Sequence, residues 1–222
     1  ADAVYQNMHY IEEQNPKYVI ILSGDHVYKM NYSMMLDFHK KNNADVTISA
    51  IQVPMEEAHR YGVIHATEEG KIHGFEEKPA EPKSNLVSMG VYIFNINVLK
   101  ECLTDDHYDD KSDHDFGKNV IPKLLKDGKN LWAYTFSGYW RDVGTIQAYY
   151  DSNMDLITRV PQFNLFDPNW KIYTPNPVKP AHYIGPNGYV SRSIVAEGCM
   201  IYGSVRNSVI FPGVTIEENA CA

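Results

Sequence analysis

The apolar positions of the chain fall into two rhythms, one for each end. Tyr18-Val19-Ile20-Ile21-Leu22 is an unbroken apolar run rich in β-branched residues, the pattern of a strand buried on both faces in the middle of a mostly parallel sheet. It stops at the turn residues Ser23-Gly24-Asp25-His26. A helix is predicted from about Ser33, with Met34, Met35 and Phe38 on one side and Asn31 placed to cap it. Val46 to Val53 reads as the next strand, closed by Pro54. Gly62-Val63-Ile64-His65-Ala66 and Lys71-Ile72-His73-Gly74-Phe75 flank Glu68-Glu69-Gly70 and predict a hairpin. Met89 to Phe94 and Leu131 to Phe136 read as further strands, and Asn97–Leu103, Phe116–Leu125 and Thr145–Ile157 as helices. Strands alternating with helices at this spacing indicate an α/β domain over residues 1–160.

Six of the twelve prolines then lie between Pro161 and Pro186, in a segment without periodicity that reads as an extended linker over 161–186. Beyond it Tyr189, Val195, Ile201, Ile210 and Ile216 mark a six-residue rhythm with a three-residue insertion. Four places after each stand Ser193, Cys199, Val205, Val214 and Ala220, with Gly198, Gly203 and Gly213 at the turns. This is a hexapeptide signature, in which each six-residue side of a parallel β-helix supplies one inward aliphatic residue; a short antiparallel sheet is the plainer alternative. The segment 187–222 holds about two coils, where stacked repeats generally need three or more, so the chain reads as cut at this end. Ala1 to Asn7 likewise reads as though the chain began inside a helix.

Composition narrows the classes. An apolar fraction of 44% with 12% aromatic residues in 222 residues excludes a disordered chain. A net charge of −8 argues against general binding of nucleic acid or anionic membrane, which select basic surfaces. No stretch approaches the ~20 apolar residues of a membrane span. Cys102, Cys199 and Cys221 are far apart and form no CxxC, so the pattern suggests neither a zinc ribbon nor a disulfide framework and points to a reduced, cytoplasmic setting. The N-terminal residues lack the features of a signal peptide.

Candidate chemistry is sparse. Asp25 follows a strand directly, where open α/β sheets place ligands and where a carboxylate can hold a hard cation such as Mg²⁺; the competing role is that of a turn residue. Asp142, in Tyr139-Trp140-Arg141-Asp142-Val143-Gly144-Thr145, precedes a helix and is either a second ligand or a helix-entry acid. If the two converge they make a divalent-cation site whose shell phosphate oxygens would complete. In Glu77-Lys78-Pro79 the proline excludes αR at Lys78, which predicts an extended Lys suited to a phosphate or simply solvated. The acidic run from Asp105 to Asp115 lacks the Gly and closing Glu of a calcium loop and reads as a solvated loop. Nothing resembles a Ser-His-Asp or Cys-His constellation.

Together these stretches resemble bacterial glucose-1-phosphate adenylyltransferases, the ADP-glucose pyrophosphorylases of glycogen synthesis. The resemblance rests on Ala1 to Asn7, Leu22-Ser23-Gly24-Asp25-His26-Val27-Tyr28-Lys29-Met30, Tyr61-Gly62-Val63-Ile64, Phe75-Glu76-Glu77-Lys78-Pro79, Ser88-Met89-Gly90-Val91-Tyr92, His114-Asp115-Phe116-Gly117-Lys118 and Tyr139 to Thr145, in family order and ahead of the hexapeptide segment. It implies a Rossmann-like nucleotidyltransferase domain followed by the start of a left-handed parallel β-helix. It also implies that Gly62, Glu77, Lys78 and Ser88 line a glucose 1-phosphate pocket, Lys78 holding the phosphate and Glu77 a hydroxyl. Asp25 and Asp142 would bind Mg²⁺ and be needed for turnover, with ATP as the second substrate. A homotetramer, or a heterotetramer with a regulatory subunit, and allosteric control are further implications.

Two departures qualify that picture. Asn31 stands where the family often has Asp, a mild change at a cap. The Gly-rich nucleotide loop of the family would lie upstream of Ala1, so the 222-residue chain by itself is expected to lack appreciable activity. Three other readings compete: a non-catalytic regulatory subunit, disfavoured by the presence of Asp25, Lys78 and Asp142 together; a hexapeptide acyltransferase, disfavoured by the want of a catalytic His in the coils; and a uridylyl-, thymidylyl- or guanylyltransferase. The base is read upstream, so the resemblance alone selects ATP.

Overall fold

A computed structural model describes residues 1–175 and 178–222. Its first elements are helices α1 (Asp2–Gln6) and α2 (Met8–Glu13), strands β1 (Tyr18–Leu22) and β2 (His26–Tyr28), helix α3 (Tyr32–Lys41), strand β3 (Val46–Gln52) and helix α4 (Met55–Ala58). Strands β4 (Gly62–Ala66), β5 (Ile72–Glu77) and β6 (Leu86–Asn95) follow, then α5 (Ile96–His107), a π-helical turn (Phe116–Val120), α6 (Ile121–Lys126), β7 (Leu131–Thr135), β8 (Trp140–Asp142) and α7 (Ile146–Asp155). The chain divides into two compact units: Ala1–Gly24 with Met30–Ser137, and Asp25–Lys29 with Gly138–Ala222.

The first unit is a mixed α/β layer built on one sheet in the order β5-β4-β6-β3-β7, with β1 also paired to β6. The long strand β6 organises it: one edge takes β3 along its length, while the other takes β4 at Val87 and β1 from Val91 to Asn95. All three of those pairings are antiparallel, as is β4 with β5. Among the described residues of this sheet only β3 with β7 is parallel. The expectation of a mostly parallel sheet is therefore corrected. Strands β1, β3, β4 and β7 do share one direction, but the reversed β6 lies between β1 and β3, so the strand–helix–strand passage joins strands that are not neighbours.

β3 is the strand buried on both faces, with Val46, Thr47, Ile48, Ser49 and Ala50 all inaccessible. Val46, Ile48 and Ala50 join Phe94, Leu99, Leu103, Ile121 and Leu131 in the main core. On its other face Thr47 meets the buried His39 of α3. The apolar run of β1, by contrast, is one-faced: Val19 and Ile21 pack on the core, while Ile20 and Leu22 are 40% and 44% exposed. Alternation across a strand paired on a single described edge accounts for this correction. The acidic run is corrected as well. Asp105 and Asp106 close α5, and Asp106 continues the inner stripe of Leu99, Cys102 and Leu103; its buried carboxylate accepts hydrogen bonds from Ser112 Oγ (2.6 Å) and pairs with His114 Nδ1 (3.0 Å).

In the second unit β2 and β8 form an antiparallel ribbon, and the short strands β9 (Tyr183–Ile184), β10 (Tyr189–Ser191), β11 (Ile194–Val195), β12 (Met200–Ile201), β13 (Ser204–Arg206), β14 (Val209–Ile210) and β15 (Thr215–Ile216) pair in parallel as β15-β12-β9, β10-β13 and β11-β14. Tyr189 sits opposite Ser204, Ile194 opposite Val209 and Met200 opposite Thr215, a constant step of fifteen residues. The antiparallel alternative is thus overturned. The core holds Cys199, Ile201 and Val205, with Val190, Val195, Ile210, Val214 and Ile216 against them. The expected inward position Tyr189 is exposed; Val190 points inward in its place, and the Tyr189 ring lies under Arg206 at 5.1 Å. β9 falls inside the expected linker, since Tyr183 N–H finds the Cys199 carbonyl at 2.8 Å. Of that linker, Asn176 and Pro177 lie outside the described residues. No helix of the described residues is long and apolar enough to cross a membrane.

Candidate functional site

Two clusters carry the residues singled out above, one in each unit. In the second unit, β2 and β8 pair with His26 opposite Asp142, Val27 opposite Arg141 and Tyr28 opposite Trp140. Directly opposed residues share a face and alternate ones rejoin it, so His26, Asp142 and Trp140 stand together. The His26 and Trp140 rings meet edge to face at 5.3 Å. Asp25 enters β2 with its carbonyl accepting from Val143 N–H at 3.0 Å, and Asp142 Oδ1 accepts from Gly144 N–H at 2.9 Å. One donor atom from each of Asp25, His26 and Asp142 lies within 4.8 Å of the other two. A side chain at Gly144 would begin 3.1 Å from Asp142 Oδ1 and 3.7 Å from Asp25 Oδ2, so the glycine keeps the mouth of the cluster clear. Carboxylate oxygens and an imidazole nitrogen around one open point form a donor set that fits a divalent cation.

The ribbon is held from below. Asp155, the last residue of α7, accepts from Tyr139 Oη at 2.8 Å and from Arg141 Nε at 3.0 Å, with Arg141 Nη2 ion-paired to it at 2.9 Å. Burial pushes the Tyr139 hydroxyl up to about 12, with the Asp155 carboxylate adding to it. Thr145 starts α7 by accepting from Ala148 N–H at 3.1 Å. Beyond β2, Lys29 donates to the Asn164 carbonyl (3.1 Å) and lies 3.6 Å from Asp167, between the rings of Phe163 and Trp170.

The first unit gathers Gly62, Glu77 and Ser88. β4 and β5 pair with Gly62 opposite Glu77. The Glu77 carboxylate rests in a cradle of two glycines: an added Cβ at Gly62 would stand 3.0 Å from Oε2, and one at Gly117 would overlap Oε2 and lie 2.9 Å from Cδ. Burial raises the Glu77 pKa; the Lys78 ammonium opposes that shift and Asp115 adds to it. Ser88 is placed by a break in register. The β3–β6 pairing shifts between Ile48 and Ala50, and Gly90 there takes φ +66° with its N–H on Ser88 Oγ at 3.2 Å. A bulge of this kind re-aims a side chain, and left-handed φ is the conformation glycine adopts freely. Nearby, burial pushes the Tyr92 hydroxyl up to about 12; Ser88 opposes that shift and the Glu77 charge adds to it.

Lys78 is the exception to the local expectation. It is not extended: its φ is +47°. Its N–H donates to the Tyr61 carbonyl at 3.1 Å, continuing the hairpin one step before the chain turns away. Pro79 does exclude αR, and the backbone resolves that restriction on the left-handed side. The ammonium is mostly exposed and 3.8 Å from Glu77 Oε1. Three residues escaped the sequence reading: His26, half-buried beside the acid pair; Gly117, required by the Glu77 carboxylate; and Tyr92. The strand alternation that pairs His26 with Trp140 and Asp142 was the available signal for the first, but a three-residue ribbon is too short to show periodicity.

A family model for nucleotidyl transferases matches residues 1–159. A glucose-1-phosphate adenylyltransferase of Acetivibrio thermocellus is 73% identical over 99% of this chain and 52% of its own length. Proteins of the same name from Ruminiclostridium cellulolyticum and Clostridium novyi are 65% and 51% identical over 98% and 99% of this chain, covering 51% and 58% of their lengths. The chain spans about half the length of the curated relatives it matches.

Proposed function

The chain belongs to the nucleotidyl transferase family, and on that premise we propose that the protein carrying it transfers AMP from ATP to glucose 1-phosphate, giving ADP-glucose and pyrophosphate for glycogen synthesis. The observation that carries the reading is the meeting of Asp25 and Asp142, from distant parts of the chain, with their donor atoms inside 4.8 Å. The names of relatives that match nearly the whole chain supply the substrates.

In this reaction an oxygen of the sugar phosphate attacks the α-phosphorus of ATP. The bond from that phosphorus to the bridging oxygen breaks, and pyrophosphate leaves with the electron pair. Both reactants are anions, so positioning and charge neutralisation dominate and no protein nucleophile is needed. Asp25 and Asp142 would hold a Mg²⁺ ion, which when bound supplies positive charge to the phosphates. Glu77, as the charged form, accepts a hydrogen bond from a sugar hydroxyl; its carboxylate occupies space that Gly62 and Gly117 leave free. Lys78 meets the sugar phosphate as an exposed point charge, Gly62 permits close approach of the backbone, and Ser88 adds a hydroxyl fixed by the Gly90 bulge.

The same proposal takes the parallel coils as the start of a left-handed β-helix over 187–222, joined by the segment 161–186 to a catalytic domain over 1–160, in a cytoplasmic homotetramer or heterotetramer. The test is pyrophosphate release by the full-length protein offered glucose 1-phosphate with ATP, GTP, UTP or dTTP in turn. ATP alone is expected to support rapid turnover, and Asp25→Asn or Asp142→Asn to lower it by orders of magnitude. Preference for another nucleotide, or near-normal turnover in both variants, would overturn the proposal.

A further inference from the structure

His26 has no role in the chemistry just described, yet the fold commits it to the acid pair. Its side chain is only 10% exposed, and its Nδ1 is sealed from solvent without a hydrogen-bond partner among the described residues. A buried polar atom left unsatisfied costs about 1–3 kcal/mol, and the ring is held beside the acid pair at that cost. Its Nε2 stands 3.7 Å from Asp25 Oδ1, beyond hydrogen-bond range. As a donor to the carboxylate the ring is badly placed. As a fellow ligand it is well placed, because donors about 2.0–2.2 Å from one ion lie at most ~4.4 Å from each other. The outer limit of 4.8 Å for the trio asks for closure of less than half an ångström.

We propose that His26 is the third protein donor to the cation at Asp25 and Asp142, its Nε2 making a site of one nitrogen and two oxygens that holds Mn²⁺ or Co²⁺ more tightly than Mg²⁺. The proposal rests on reading the acid pair as a cation site. Magnesium prefers oxygen throughout its shell, whereas an imidazole nitrogen favours first-row transition ions. The rigid placement of the ring follows from the ribbon: His26 is directly opposite Asp142, and Trp140 closes its far side. With Nε2 on the ion, the ring proton resides on Nδ1.

The experiment uses the full-length protein and Mn²⁺ alone. Binding is read from the loss of the free-ion electron paramagnetic resonance signal, and the ligand from pulsed resonance on protein with and without ¹⁵N-histidine. Nitrogen modulation that changes with the isotope is expected in the unsubstituted protein, which needs no variant to fold. His26→Gln should remove it and weaken Mn²⁺ at least tenfold, while Mg²⁺, titrated in competition, weakens by under about threefold. Bound Mn²⁺ that depends on Asp25 but shows no histidine nitrogen would overturn the role of His26 and leave the acid pair standing. Mn²⁺ binding unaffected by Asp25→Asn would remove the acid pair itself.

Discussion

Gly117→Ala isolates what the Glu77 cradle does. The new Cβ would overlap Glu77 Oε2 and stand 2.9 Å from Cδ, with Asp115 Oδ1 at 3.4 Å, so the carboxylate must move. The backbone itself tolerates the change: Gly117 lies in the π-helical turn and is absent from the positive-φ positions, where alanine gains about 1 kcal/mol over glycine in helical conformation. A forced rotamer at Glu77 costs about 0.5–1.5 kcal/mol. The two nearly cancel, and folding stability should shift by less than about 1 kcal/mol. Binding has no such compensation. A hydrogen bond from a sugar hydroxyl to a charged group is worth about 1.5–3 kcal/mol, so the dissociation constant for glucose 1-phosphate, measured by titration calorimetry on the full-length protein, should rise roughly 10- to 150-fold. In a Glu77→Ala background the same change should do almost nothing, because the clash and the contact are both gone. Gly62→Ala is the contrast: its Cβ would overlap a ring carbon of Phe75, which packs on the core, so it should destabilise by about 1–3 kcal/mol. Unchanged sugar binding in Gly117→Ala, alongside a large loss in Glu77→Ala, would refute the reasoning.

The remaining predictions concern what holds each unit. Asp155→Ala leaves Tyr139 and Arg141 without their shared acceptor and should cost about 1–2 kcal/mol, discounted for partial exposure, in denaturant unfolding; a loss below about 0.3 kcal/mol would show that the ribbon does not depend on it. His39 is buried between Thr47 and Asn95, and burial holds its pKa below the ordinary 6.5. The unfolded chain therefore binds that proton first, and stability contributed by His39 is present above pH 6.5 and lost as the pH falls below it. The slope of unfolding free energy against pH in that window should decrease in His39→Gln by up to about 1.4 kcal/mol per pH unit; identical slopes in the two proteins would contradict the burial argument.

Local chemistry made much of the fold readable. Asn31 caps α3 through Ser33 N–H, the Glu68-Glu69-Gly70 hairpin joins β4 to β5, and the apolar runs at Val46, Met89 and Leu131 became neighbouring strands. Strand direction was not readable. A run such as Val91 to Phe94 has the same composition whichever way it points, and only the pairing of β6 with β1, β3 and β4 makes it antiparallel to all three. The coils show a related limit. Their inward residues were named within one position, and the miss fell at Tyr189, where an outward aromatic under Arg206 mimics an inward apolar residue in the periodicity.

The candidate site divides along the same line. Asp25 and Asp142 were visible as acids at chain turns, each with an equally good local role, and nothing in their immediate neighbours could decide that they meet. What brings them together is register: His26 opposite Asp142, fixed by the β2–β8 ribbon and by the Val143 N–H on the Asp25 carbonyl. Register is a long-range property of the chain, and a slip of one residue would turn Asp142 to the far face and bring Arg141 in its place. That places the specificity of the cluster in the residues that forbid the slip, namely the Asp155 contacts to Tyr139 and Arg141 and the Thr145 cap directly after β8. None of these touches the cation in the proposed reading, yet each helps to decide which side chains reach it.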